Sequence, residues 1–186
     1  DKYYHIFNRK IMKQKTFAID IDGTITENGG GRIHLDALSA LRHLKNIGHN
    51  VIFVSGRSSV EGYILSIFGG TTNIAVGENG GCITFGPNEH KLLGNKDECL
   101  HAFEILKSKI DNVKEKPVFP RLTEVVLERT FDIEIAKKIV LKNNLNVELS
   151  DSQYAFHINS SGINKGRGFE VVMKMLSVTK DNVIAI

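Results

Sequence analysis

The stretch Thr16–Thr26, read as Thr-Phe-Ala-Ile-Asp-Ile-Asp-Gly-Thr-Ile-Thr, constrains this chain more than any other. It opens as a continuous apolar run, which a strand buried on both faces of a parallel sheet requires, and then places Asp20 and Asp22 where that strand ends. Alternate residues of a strand face the same way, and a turn starting at Gly23 can bring Asp22 toward the site that Asp20 faces. Two carboxylates above one strand end suit a divalent cation with oxygen ligands. They equally suit a division of labour between a nucleophile and a general acid/base. An isolated Asp-x-Asp is more often a helix cap or a solvated turn. A calcium loop is excluded, because its sixth and twelfth positions counted from Asp20 would be Ile25 and Gly31 instead of Gly and Glu.

The rest of the chain supplies partners for this pair. Leu38, Leu41, Leu44 and Ile47 recur at helical spacing and stop at Gly48, so a packing helix is expected over 35–47. Val51–Val54 is a second all-apolar strand, ending in Ser55-Gly56-Arg57-Ser58 before a helical stretch near 59–68. Strand, helix, strand, helix with apolar strands predicts an α/β fold, a Rossmann-like parallel sheet covered on both faces. Chemistry in such sheets lies outside the carboxyl ends of the strands, which brings Ser55, Gly56 and Arg57 to the edge that holds Asp20 and Asp22. A Ser-Gly at a strand end is commonly a helix cap. Beside two aspartates, a hydroxyl and the exposed amides of a helix N-terminus also suit a phosphoryl oxygen.

A short strand at 74–76 is followed by Gly77-Glu78-Asn79-Gly80-Gly81 and a β-like run over 82–85, which predicts a hairpin, with Asn79 or Glu78 available to the mouth of the site. From Gly86 the texture changes. A helix over 97–113, the breakers Pro117 and Pro120, a strand at 124–127, a helix capped by Asp132 and strands at 147–149 and 155–158 give an αββαββ-like order. Residues 86–155 are therefore expected to form a small inserted α+β cap domain, with 13–85 and 156–186 as the core and 1–12 as an extension of no assigned role. The chain then returns to the core pattern with Gly162-Ile-Asn-Lys-Gly166 opening a helix and an apolar strand at 183–186. Lys165 at a helix start is electrostatically poor for a merely solvated cation, and an anion to neutralise explains it better.

Length and composition allow one good core or one core with a modest second domain: 186 residues, 41% hydrophobic. A net charge of +3 without a basic stripe does not suggest nucleic-acid binding. Cys82 and Cys99 lack metal-site or Cys-x-x-Cys spacing and read as free thiols. With no signal peptide and no apolar run long enough for a membrane, the expectation is a cytoplasmic protein without membrane partners. A homodimer is compatible with this but not indicated.

Taken together, these residues resemble the haloacid dehalogenase superfamily of phosphotransferases. Phe17–Thr24 is similar to its first motif, Val51–Ser55 to its second and Lys165 to its third, and the insertion between the second and third resembles the superfamily's larger α+β cap. The compact size, with Ser-Gly-Arg, Gly-Glu-Asn-Gly-Gly and Gly-Ile-Asn-Lys-Gly, is most similar to the archaeal phosphoglycolate phosphatases of that superfamily. The resemblance implies phosphomonoester hydrolysis with Asp20 as nucleophile and Asp22 as general acid/base. It implies Mg2+ on the Asp20 carboxylate and the Asp22 carbonyl, and Ser55 and Lys165 on the phosphoryl oxygens of a small phosphorylated acid. Gly56, Arg57 and Asn79 join the expected substrate site, and Arg121 and Arg129 in the cap are candidates for the substrate's carboxylate, since Arg binds such groups in bidentate fashion.

One departure matters. The superfamily's fourth motif, Gly-Asp-x-x-x-Asp, would follow the strand at 183–186, where the sequence ends. Its carboxylates normally complete the magnesium site, and Asp181 precedes the strand at the wrong end. The expectation is a truncated active phosphatase. The competing readings are a sugar-phosphate phosphatase or phosphomutase of the same superfamily, and a non-catalytic fragment that keeps the fold.

Overall fold

The computed structural model describes residues 13–27 and 31–186. The extension over 1–12 and residues 28–30, between the first strand and the first helix, lie outside the described residues. The elements in order are β1 (Thr16–Ile19), α1 (Leu35–Asn46), β2 (Asn50–Val54), α2 (Ser59–Gly69), β3 (Ala75–Gly77), a 3-10 turn (Glu78–Gly80), β4 (Cys82–Gly86) and β5 (Glu89–Leu92). They continue with α3 (Lys96–Lys109), β6 (Val125–Leu127), α4 (Ile133–Lys142), β7 (Val147–Asp151), β8 (Phe156–Ser160), α5 (Lys165–Met175), a second 3-10 turn (Lys180–Asn182) and β9 (Val183–Ala185).

The larger sheet has the order β5-β4-β3-β2-β1-β9. Strands β3, β2, β1 and β9 are parallel, with Phe17 opposite Val51 on one side and Ile184 on the other, while β4 and β5 run antiparallel at one edge. The apolar runs that predicted buried strands are explained by cover on both faces. Ala18, Ile52, Val54, Val76 and Ile83 pack against Phe169, Val172 and Met173 of α5, whereas Ile19, Val51 and Phe53 pack against Leu41 of α1 and Leu65 of α2. The helix caps follow their sequence signals. Ser58 and Glu61 form a capping box at the start of α2, a feature worth about 1 kcal/mol, and Asn164 caps α5 through the Arg167 amide. Ser58, not Ser55, is thus the cap, which leaves Ser55 to the strand end.

The second sheet, β6-β8-β7, is antiparallel and carries α3 and α4 on one face. Cys99, Ala102, Phe103 and Leu106 of α3 pack with Ala136 and Val140 of α4 and with the strand residues Val125, Leu127, Leu149 and Ile158. This is a small α+β unit with its own core. Its order is αβαββ, and what stands in for a further strand is a single bridge between Glu115 and Leu127.

Both boundaries expected for this unit shift. Strand β5 pairs with β4 and so extends the larger sheet beyond residue 85. Strand β8 pairs with β6 and β7, so residues 156–160 belong with the smaller sheet and not with the core. The physical reason is the same in each case: a strand's membership is decided by its backbone partner, which a local pattern does not reveal. Cys82 and Cys99 are both free and buried, one in each unit, and burial pushes each thiol up to about 11. Among the described residues no helix is long and apolar enough to cross a membrane.

Candidate active site

The carboxyl ends of β1, β2 and β3 face the smaller unit across a cleft of about 1130 Å3. Asp20 and Asp22 line its core side together with Gly31, Gly56, Arg57, Asn79 and Lys165. The turn that follows β1 depends on Gly23, whose φ is +78°, and on Thr26, whose hydroxyl accepts from the Gly23 amide and donates to the Ile21 carbonyl. Both carboxylates therefore reach the same cleft, as the Asp-x-Asp-Gly spacing predicts.

The α5 helix delivers the matching cation. Lys165 is its first residue, and its Nζ donates to Asp20 Oδ2 at 2.8 Å, while Asp20 Oδ1 accepts from the Ile21 amide at 2.8 Å. That placement rests on Gly80. Its φ is +100°, and a Cβ there would overlap the Asn164 carbonyl, so only glycine lets the β3–β4 turn abut the start of α5. The expected Gly-rich hairpin and the expected lysine are thus two halves of one contact.

Asp22 is held by Arg57. The guanidinium donates from Nε to both carboxylate oxygens, at 3.1 and 2.9 Å, and from Nη2 to Oδ1 at 2.7 Å, while Nη1 pairs with Glu61 at 3.2 Å. The bond to Asp22 pushes the guanidinium further up, so it stays fully charged. Ser55 is buried at the end of β2, and its Oγ accepts from the Arg57 amide at 3.1 Å, while among the described residues its own proton is given to no partner.

The turn residues Glu78 and Asn79 divide their roles. Asn79 lines the cleft. Glu78 is fully buried instead, and its Oε2 accepts from the Leu122 and Thr123 amides and the Thr123 hydroxyl at 2.7–2.9 Å, tying the smaller unit to the core. Burial pushes the Glu78 carboxyl up, against the opposing pull of those hydrogen bonds.

Arg121 and Arg129, the two arginines that sequence offers for a substrate acid, part company. Arg129 is engaged with Asp151 at 2.8 Å and with the Gln153 carbonyl, and its guanidinium lies over the Phe156 ring. It does not line the cleft. Arg121 does, and its Nη1 donates to the Gly56 carbonyl at 2.7 Å and pairs with Glu124 at 3.0 Å.

Sequence reasoning missed Glu124, His157 and Asn159. Glu124 is completely buried, and its Oε2 accepts from Asn79 Nδ2 at 3.2 Å, His157 Nδ1 at 3.0 Å and Asn159 Nδ2 at 2.9 Å. The available signal was Phe-His-Ile-Asn, in which His157 and Asn159 alternate with apolar residues and so share one face of β8.

The donors also bear on a metal ion. Two carboxylates are hard oxygen ligands of the kind Mg2+ prefers, and Mg2+ is commonly held by one or two carboxylates with waters and substrate phosphate, so Asp20 and Asp22 fit that ion. Among the described residues no cluster of three His, Cys, Asp or Glu completes an all-protein site. Asp181 lies at the opposite end of the sheet, where Lys15 Nζ donates to its carbonyl.

Residues 17–112 match the family model of haloacid dehalogenase-like hydrolases, and a relative from Nitrosopumilus maritimus (strain SCM1), named phosphoglycolate phosphatase, is 67% identical over 175 residues. The chain belongs to the haloacid dehalogenase-like hydrolases. The match with the Nitrosopumilus protein covers 94% of this chain and 76% of the relative. A further relative of the same name, from Methanosarcina mazei, is 34% identical over the same shares of the two chains. Among solved structures, Thermoplasma acidophilum 0175 superposes with a TM-score of 0.82 at 21% identity, covering 92% of this chain and 76% of that one. The sucrose-phosphatase of Synechocystis sp. PCC6803 superposes with a TM-score of 0.67 at 13% identity, covering 94% and 75%. At those identities the structures establish the fold: a haloacid dehalogenase core with an inserted cap. This haloacid dehalogenase-like hydrolase is a phosphatase, and its cap is the unit built on α3, α4 and the β6-β8-β7 sheet.

Proposed function

We propose that this phosphatase hydrolyses a small phosphorylated acid, 2-phosphoglycolate, through a covalent aspartyl phosphate on Asp20. The observation that carries the reading is the Lys165–Asp20 contact of 2.8 Å at the floor of a cleft that also exposes Asp22. A carboxylate approaching a phosphate dianion meets repulsion worth several kcal/mol in a partly dry site, and a lysine against that same carboxylate is the charge that offsets it. The substrate assignment is supported by the name that the relatives at 67% and 34% identity carry.

Asp20 attacks phosphorus, the bond to the leaving oxygen breaks, and Asp22 gives that oxygen its proton. Asp22 then takes a proton from water, whose oxygen attacks phosphorus and releases Asp20 and inorganic phosphate. To carry a proton, Asp22 leaves the Arg57 pair, and the freed guanidinium stands beside the incoming anion. The Ser55 hydroxyl and Lys165 hold the phosphoryl oxygens, with the Gly56, Arg57 and Asn79 edge around them. Mg2+, held by the Asp20 carboxylate and the Asp22 carbonyl, supplies further neutralisation of phosphoryl charge when bound.

Phosphate release from 2-phosphoglycolate, glucose 6-phosphate and mannose 6-phosphate, each with Mg2+ and with EDTA, tests the proposal. The expected result is magnesium-dependent turnover with phosphoglycolate far ahead. Turnover of the sugar phosphates alone would replace the substrate, and folded protein silent on all three would remove the catalytic reading.

A further inference from the structure

The cap side of the cleft holds a polar cluster that phosphoryl chemistry does not use. Arg121 is more than nine-tenths buried, its side chain being 8% exposed, and only its Nη1 is engaged. Its Nε is buried and has no hydrogen-bond partner among the described residues, and no bond to Nη2 is made there either. Nε and Nη2 form one edge of the guanidinium, two parallel N–H groups spaced to fit the two oxygens of a carboxylate. An unmet donor edge on a charged, buried group that lines the substrate cleft points to a ligand.

Two further residues complete the cluster. The Ser152 hydroxyl, on the exposed turn after β7, accepts from the Ala155 amide, and its one proton is shared between the Ala155 carbonyl and His157 Nε2, each at 3.1 Å; Ser152 and His157 both line the cleft with Arg121. Glu124 stands behind all of them. By accepting from His157 Nδ1 and pairing with Arg121 Nη1, it fixes the imidazole with Nε2 toward Ser152 and turns the guanidinium so that its free edge is the one left over. Glu124 cancels one positive charge of the cluster without lining the cleft itself, and Asp151, which does line it, is paired with Arg129.

We propose that the Nε–Nη2 edge of Arg121, joined by the Ser152 hydroxyl when its proton turns from His157 Nε2 and the Ala155 carbonyl, receives the carboxylate of the substrate, and that Glu124 is the positioning residue of this receptor. The inference rests on the phosphoglycolate reading and adds to it the cap residues that tell an acid from other phosphomonoesters. The core end of the cleft takes the phosphoryl group through Asp20 and Lys165, and the cap end takes the acid.

The test compares 2-phosphoglycolate with 2-hydroxyethyl phosphate, which has the same chain length and no carboxylate, on the full-length enzyme with Mg2+. Wild type is compared with Ser152→Ala, Arg121→Lys and Glu124→Gln. Ser152 is on the surface, so its variant folds whatever becomes of the others. The wild type is expected to prefer phosphoglycolate, and each variant to raise KM for it by about 10- to 100-fold more than for the hydroxyethyl ester, with kcat changed far less, as loss of a hydrogen bond to a charged group implies. Equal losses on both substrates, or a wild type without preference, overturn the acid receptor while leaving the phosphatase reading intact. No release from either substrate overturns both.

Discussion

Lys165 Nζ and Asp20 Oδ2 lie 2.8 Å apart although 145 residues separate them in the chain. The cap is inserted between the two, so the contact joins core segments that flank the smaller sheet in the chain. At 41% and 36% side-chain exposure, this pair contributes little to folding, about 0–1 kcal/mol. Its position matters for chemistry instead.

Lys165→Ala should therefore separate activity from stability. The expected kcat falls by about 10^2–10^3, as for loss of one charge-stabilising donor, with the melting temperature within two or three degrees of wild type. Steady-state phosphate release and a thermal scan on the same preparation check this, and unchanged kcat would mean that the contact has no part in turnover.

Gly80→Ala probes how the lysine is placed. A Cβ at this left-handed position would meet the Asn164 carbonyl at the start of α5, and the strain should cost roughly 1–3 kcal/mol. Because the atom that must yield is backbone next to Lys165, kcat should fall along with stability. A variant that loses stability but keeps full kcat would show that α5 can shift without moving the lysine.

Glu78 gives a pH signature. Burial raises its folded carboxyl above the ordinary 4.5, so the folded state holds the proton more tightly than the unfolded chain. Stability from this group is then fully present below pH 4.5 and is lost as pH rises through the folded value. Subtracting the melting temperatures of Glu78→Gln from those of wild type across pH 4–8 should leave a difference that falls with rising pH above 4.5. A flat difference would contradict the assignment.

How much of this was legible in the sequence follows from where each residue finds its partner. Strands β1 and β2 and the helices around them were visible because burial on both faces leaves unbroken apolar runs, and Asp20, Asp22, Gly56 and Arg57 were visible because they sit at the ends of those runs. Strand β5, Glu-His-Lys-Leu, was not, since an edge strand that is largely solvated carries no apolar pattern. The boundary at β8 failed for the opposite reason. His157, Asn159 and Ser160 are polar yet buried, and their burial is explained by partners in distant segments: Glu124 for His157 and Asn159, and the Asn95 amide, which donates to the Ser160 hydroxyl. Glu124 was hidden the same way, a charged residue just before a buried strand whose partners other than the nearby Arg121 come from distant segments. Local patterns report what a segment covers, and such a network is specified only by the fold.

Asp20, as the group that attacks phosphorus, is the residue on which turnover depends most directly. The measurement is the rate of magnesium-dependent phosphate release from 2-phosphoglycolate by full-length wild-type enzyme and by Asp20→Asn, with circular dichroism to verify the fold of each. The predicted result is turnover in the wild type and a loss of at least about a thousandfold in the variant, because an amide cannot form the acyl phosphate. Wild-type turnover in a folded Asp20→Asn enzyme would contradict Asp20 as the nucleophile.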